Sequence, residues 1–408
     1  LWEKDLSHQL AEIMTVVCTM PKRRDWTQHG MDKTLEHRVL LRLRADDGTE
    51  GWGEATALAQ WGGMEGRYFG ETTTTVLHAV HDVFAHALFE ADVRAPRVVM
   101  ESLDALLVGH PYAKATIEMA LQDIRGKRCG EPLYRLLGGP YRGGIRIGHM
   151  LGIMDIDDAL QEADRSIDAD GITAFQIKGG TDPVRDVELI TRLRKALPDD
   201  IFLRLDANKG YGKIPKELAA IAKRLEAAGV NAIEQPAASA AGLRACREAT
   251  TIPIIADEAC WTAHDVLDLW EKDAVDAISV YVAKAGGMEH ATEVARTAAL
   301  VGYRCDINGS LETGIGNAAS VHVAMAAETL TLPSIIPIPS TAERHISQYA
   351  GRYWEDDVVA SGYSYRDGSL YLSDSPGLGI TVDETKVAKY AVSDPTVTTP
   401  ASLRQRSR

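Results

Sequence analysis

The runs AFQIK (174–178), FLRLD (202–206), NAIEQ (231–235), PIIAD (253–257) and SVYVAK (279–284) decide the fold. Each is short and apolar and delivers a charged side chain at or near its end: Lys178, Asp206, Glu234, Asp257 and Lys284. The steps are 206−178 = 28, 234−206 = 28, 257−234 = 23 and 284−257 = 27 residues, about one strand plus one returning helix. Charges delivered at that interval converge at one end of a parallel barrel, where such barrels keep their chemistry.

Working outward, strand-like runs near 145–149, 173–178, 202–206, 231–235, 252–256, 276–282 and 303–307 alternate with amphipathic segments such as 213–228 and 288–301. That alternation describes a parallel barrel or open sheet. Only PSIIP (333–337) is left for an eighth strand, so irregular closure is expected there. Upstream, 12–20 and 37–45 read as strands, and the turn at 46–49 leads into EGWGE (50–54), completing an antiparallel meander. Helical patterns follow at 72–90, 97–108 and 112–128. Strands followed by helices make an α+β unit. The division expected is an α+β domain over 1–135, completed by about 361–390, a barrel over 140–350, and a disordered tail over 391–408. The loop 60–71, rich in glycine and aromatics, reads as a mobile flap.

At 408 residues there is room for a barrel of roughly 250 residues and a smaller partner. A net charge of −14 with no basic tract argues against nucleic acid as a partner. No apolar run reaches the ~18 residues that a membrane span needs. Five scattered cysteines without a CxxC pair argue against a disulfide framework or zinc ribbon and favour a reducing cytoplasm.

Asp206, Glu234 and Asp257 offer hard oxygen ligands without His or Cys partners, which points to Mg²⁺ or Mn²⁺. Any one of them taken alone reads equally well as an N-cap of the next helix. Three at consecutive strand ends would repel one another without a cation or raised pKa values. A lone lysine at a strand end is ordinarily a salt-bridge or snorkelling residue. Lys178 and Lys284, however, flank the trio, and an amine beside a divalent cation has its pKa depressed toward that of a useful base. Two such bases remove a proton alpha to a carboxylate from one face and return it to the other, with the cation stabilising the enolate oxygens.

The motifs GWGEA (51–55), GHPYAKATIEMALQDIRGK (109–127), LLGG (136–139), QIK (176–178), LDAN (205–208), EQP (234–236), ADE (256–258), VAKAGG (282–287), SLETGIGNAAS (310–320) and PGLGITVDETKVAKY (376–390) span nearly the whole chain. Together they resemble the enolase superfamily, in the branch of the muconate-lactonising enzymes. The resemblance implies a modified (β/α)₇β barrel with an N-terminal α+β capping domain. It also implies Mg²⁺ on Asp206, Glu234 and Asp257, with Lys178 and Lys284 as the acid/base pair. Gln176, Asn208, Glu258, Asp306 and Glu312 are then expected around these groups or facing substrate. Gln176 stands where the family usually has the first lysine of Lys-x-Lys, so that either the cation alone depresses the Lys178 pKa or a different substrate is accommodated, with donation by Gln176 to a substrate carboxylate as the alternative. Loops 21–30 and 60–71 are expected to enclose the substrate, with Arg23, Arg24, Trp26, Trp61, Tyr68 and Phe69 as candidates for a second carboxylate or a flat group.

The function expected is a Mg²⁺-dependent isomerase of a small carboxylate, a racemase or epimerase using both lysines or a cycloisomerase using one. A dehydratase is the second reading, and a metal-stabilised binding protein the non-enzymatic one. Assembly as a homo-oligomer, dimer or octamer, is expected by resemblance.

Overall fold

A computed structural model of the chain describes residues 8–23, 29, 37–339 and 353–406. Its first layer is the expected meander of β1 (Leu10–Thr19), β2 (His37–Ala45) and β3 (Glu50–Ala55), with Thr15 opposite Leu41 and Leu41 opposite Gly53. The helix Pro111–Cys129 lies directly on β3. A Cβ at Gly51 would stand 2.0 Å from the Ala120 carbonyl oxygen, and one at Gly53 1.9 Å from that of Thr116. Only glycine allows backbone and helix to meet this closely, which explains the GWG pattern.

The tail departs from expectation. Thr396–Thr398 pairs antiparallel with the free edge of β1, placing Thr398 opposite Ile13, and Pro400–Arg406 is helical. His81 bonds both Thr15 (2.7 Å) and Thr398 (2.8 Å), fastening the added strand from within. Within 361–390, Leu378 N donates to Asp123 Oδ1 of the helix Pro111–Cys129 and Glu384 pairs with Arg42 of β2, while the strands upstream pair elsewhere. Tyr363–Arg366 and Ser369–Leu372 form a hairpin that pairs with β4 (Ile145–Arg146) rather than with the meander.

From β5 (His149–Leu151) the chain alternates strand and helix. β6 (Ala174–Lys178), β7 (Phe202–Asp206), β8 (Ala232–Glu234), β9 (Ile254–Ala256), β10 (Ala277–Val280) and β11 (Arg304–Ile307) follow in one parallel sheet in sequence order. The eighth position is irregular, as expected. Residues 334–335 close the barrel by single bridges, Ser334 to Ile147 on one side and Ile335 to Asn308 on the other. Because strand side chains alternate, Gln176 and Lys178 share one face, as do Arg204 and Asp206. In register, Lys178 neighbours Asp206, and Asp206 neighbours Glu234.

Glu118 joins the two layers. Its carboxylate accepts from the backbone N–H groups of Met288 (2.7 Å) and Glu289 (3.3 Å), at the start of the barrel helix Met288–Leu300. Burial pushes Glu118 up to about 7, against the pull of the Met288 N–H. A folded pKa above the unfolded one means the native state holds the extra proton. That stabilisation is complete below about pH 4.5 and is lost as pH rises through 7. Thermal unfolding from pH 5 to 8 should therefore show a smaller fall in Tm for Glu118→Gln than for the unsubstituted protein.

Candidate active site

At the C-terminal ends of β6 to β9 the charged side chains are buried together. Lys178 Nζ donates to Asp206 Oδ2 at 2.6 Å and to Asn208 Oδ1 at 3.4 Å. Gln176 Nε2 bridges two carboxylates, donating to Asp206 Oδ2 (3.1 Å) and Glu234 Oε2 (2.7 Å). Lys284, in a helical turn just after β10, donates to both the carbonyl and Oδ1 of Asp257, each at 2.7 Å. Its ammonium lies 4.5 Å from the centroid of the Tyr281 ring.

The turns beyond the strands are themselves unusual. Asn208 (φ 42°), Lys209 (φ 67°) and Gln235 (φ 40°) occupy the left-handed region without being glycine. Asn208 in that turn donates its backbone N–H to Asp206 Oδ1 at 3.0 Å. Gln235 Oε1 accepts from the backbone of Asp257 (2.9 Å) and Ala259 (3.1 Å), fixing the turn after β9 from the strand beside it.

One residue absent from the expectations is central. Arg204, buried inside the barrel, places Nε 3.1 Å from Glu234 Oε2 and pairs through Nη1 with Asp306. Burial lowers its pKa, but Glu234 and Asp306 outweigh that and hold it firmly charged. The signal was present in FLRLD, where strand alternation turns Arg204 to the same side as Asp206.

The buried carboxylates here are Asp206, Glu234, Asp257, Glu258 and Asp306, five in all, against three buried cations, Lys178, Arg204 and Lys284. Full ionisation would leave two uncompensated negative charges in a site shielded from water. Glu234 Oε1 and Glu258 Oε2 are buried without a hydrogen-bond partner. Burial raises Glu234 well above the carboxylate range, and burial with repulsion from Asp257 raises Glu258 to about 8. Burial lowers the Lys178 pKa, but Asp206 and Glu234 more than offset this, holding it above the ordinary lysine value. The depressed pKa expected for a base therefore needs another positive charge beside Asp206. Among the described residues, no three Asp, Glu, His or Cys side chains are gathered closely enough to hold an ion in this arrangement. The ammonium groups and the Gln176 amide engage the carboxylates instead. The hard oxygen set, the two missing positive charges and the orphaned carboxylate oxygens fit a divalent cation.

The remaining expected residues divide. Trp61, Asn208, Gln176 and Lys178 line the cavity above the charges. Gln176 does so with its amide donating to Asp206 and Glu234. Glu312 is buried next to the cavity-lining Gly309 and Ser310, its Oε1 accepting from Ser310 N at 2.9 Å. Tyr68 stacks on Trp261 (centroids 4.6 Å, 14°) and donates to Asp265 at 2.7 Å, bracing the loop. Arg67 joins the same carboxylate at 2.5 Å, and Met64 N donates to the Glu258 carbonyl, latching the loop 60–71 across the barrel mouth. Phe69 is 90% exposed. Arg23 donates to the Trp354 carbonyl at 2.8 Å. Arg24 and Trp26 lie outside the described residues.

Known proteins agree with this architecture. The family described as Mandelate racemase / muconate lactonizing enzyme, N-terminal domain, matches residues 13–138, and that described as Enolase C-terminal domain-like matches 158–386. The chain belongs to the enolase superfamily, on its muconate-lactonising side. Within it, the L-Ala-D/L-Glu epimerase of Bacillus subtilis is 29% identical over 350 residues, 84% of this chain and 88% of that protein. The chloromuconate cycloisomerase of Cupriavidus pinatubonensis is 29% identical over 381 residues, 92% of this chain and 97% of that protein. The crystal structure of a Pseudomonas fluorescens muconate lactonizing enzyme complexed with muconolactone superposes with a TM-score of 0.84 at 27% identity, covering 94% of this chain and all of that one. Among the described residues no helix is long and apolar enough to cross a membrane.

Removing Arg204 tests the charge account directly. Arg204→Gln leaves Glu234 and Asp306 buried without their cation and should cost roughly 3–5 kcal/mol in denaturant unfolding. Adding Asp306→Asn to that variant should recover part of the loss.

Proposed function

We propose that the protein is an isomerase that moves a proton alpha to the carboxylate of a small acid. The observation carrying this reading is the placement of two buried lysines, on β6 and just after β10, either side of carboxylates at the ends of three consecutive strands. Similarity to epimerases and cycloisomerases over more than four-fifths of the chain supports it.

Asp206, Glu234 and Asp257 would hold a divalent cation, Mg²⁺ by the hardness of its ligands, which supplies positive charge to the carboxylate oxygens of the enolate. Lys178 lines the cavity and is the group that exchanges a proton with the substrate carbon. Gln176 holds Asp206 and Glu234 at a fixed separation without adding charge. Lys284, held by Asp257 and packed on Tyr281, is the partner on the opposite side, returning a proton in racemisation or stabilising charge in cycloisomerisation. Trp61 and the latched loop 60–71 keep water from the reacting carbon. The five free cysteines fit the cytoplasmic location we assign, and the family resemblance supports a homo-oligomer.

Proton exchange checks this reading. In D₂O with Mg²⁺, a substrate acid should exchange its alpha hydrogen with the unsubstituted protein, and Lys178→Ala should slow exchange by at least about 100-fold. Unchanged exchange in both Lys178→Ala and Lys284→Ala would remove both lysines from the mechanism.

A further inference from the structure

The side of the cavity across from Lys178 is built by β10. The seven strands of the sheet and the closing stretch at 334–335 make eight positions round the barrel, and β6 and β10 stand four apart in the strand order, half the circuit. Groups presented at their ends therefore face each other across the mouth. From β6 that group is Lys178. On β10, strand alternation turns Ser279 and Tyr281 to one side, and Ser279 Oγ accepts from the buried Asn308 amide there at 2.7 Å. Tyr281, one residue past the end of the strand, is carried into the mouth and lines the cavity together with Lys178 and Asp257.

The phenol ring is held in place. The turn Val282–Ala285 is helical, and three residues on it brings Lys284 back over Tyr281, its ammonium 4.5 Å from the ring centroid and donating to the Asp257 carbonyl and Oδ1. Trp61 meets the same ring edge to face, with centroids 5.1 Å apart. The hydroxyl is less well engaged. Tyr281 Oη lies 3.5 Å from Asp257 Oδ2, far beyond the ~2.7–2.8 Å of a good O–H···O bond. A buried hydroxyl with so long a contact gains most from a better acceptor arriving in the cavity.

We propose that Tyr281 is a further catalytic residue, its hydroxyl donating a hydrogen bond to a carboxylate oxygen of the substrate on the side of the cavity opposite Lys178. This rests on the isomerase reading for the position of the reacting carboxylate. A phenol brings a donor without a further charge. Its bond strengthens as the oxygen gains negative charge in the enolate, and the fixed ring spares the cost of reorienting the donor at that moment.

The test uses the full chain at saturating Mg²⁺ and oxalate, a planar dianion that resembles the carboxylate end of an enolate. Tyr281→Phe deletes the hydroxyl and keeps the ring against Lys284 and Trp61. Calorimetry should show oxalate bound at least about tenfold more weakly by this variant, with its Mg²⁺ affinity and Tm unchanged. Unchanged oxalate affinity, or a loss matched by an equal loss of Mg²⁺ affinity, would overturn the assignment, as would failure of the unsubstituted protein to bind oxalate. Alpha-hydrogen exchange in D₂O with the N-acetyl derivatives of the standard amino acids reads the underlying reaction separately. Exchange by the unsubstituted protein, with oxalate affinity the same in Tyr281→Phe, keeps the isomerase reading and removes this inference. A tenfold loss of oxalate affinity with no exchange of any derivative keeps Tyr281 as the donor and removes the proton-transfer reading.

Discussion

Five carboxylates and three cations buried at one end of a barrel form the constraint on which the rest depends. An isolated buried ion is unstable by many kcal/mol, so each charge must have a partner fixed in place. The strand register provides it, bringing Lys178, Asp206 and Glu234 side by side. The strained turns at Asn208 and Gln235 add backbone donors and side-chain braces where the strands end. Arg204 ties the lower layer, between Glu234 and Asp306.

Such a site works only if water is kept out, and the capping domain is joined to the barrel accordingly. Backbone contact of β3 with the helix Pro111–Cys129 rests on Gly51 and Gly53. From the same strand, Glu54 accepts from Thr313 N and Gly316 N at the start of the helix Gly314–Ala326. The Asp265 latch on Arg67 and Tyr68 then sets Trp61 against Tyr281 with ring centroids 5.1 Å apart. Enclosure and charge placement are thus parts of one packed structure, and the low dielectric they create strengthens each ion pair within it.

Much of this was legible in the sequence because barrel geometry is periodic. Regular spacing of the run ends located the strands and the residues at their tips, and the weak PSIIP run announced irregular closure. Arg204 escaped because it sits inside an apolar run, where its charge looked incidental until alternation was applied. The tail escaped because a three-residue edge strand is too short to show a period and takes its order from β1, nearly 400 residues earlier. The bonds of Gln176 to Asp206 and Glu234, and of Glu312 to Ser310 N, were not legible, because they depend on which donors and acceptors the neighbours offer. The Tyr68–Asp265 contact is equally non-local, so the loop read as a flap without its latch.

The central claim is the proposal that Asp206, Glu234 and Asp257 hold a divalent cation. Crystals soaked in Mn²⁺ and measured at its anomalous edge test it most directly. The account predicts one strong peak within coordinating distance of oxygens of Asp206, Glu234 and Asp257, with Lys178 no longer paired to Asp206. No peak at saturating Mn²⁺, with the Lys178–Asp206 and Lys284–Asp257 pairs intact, would contradict it.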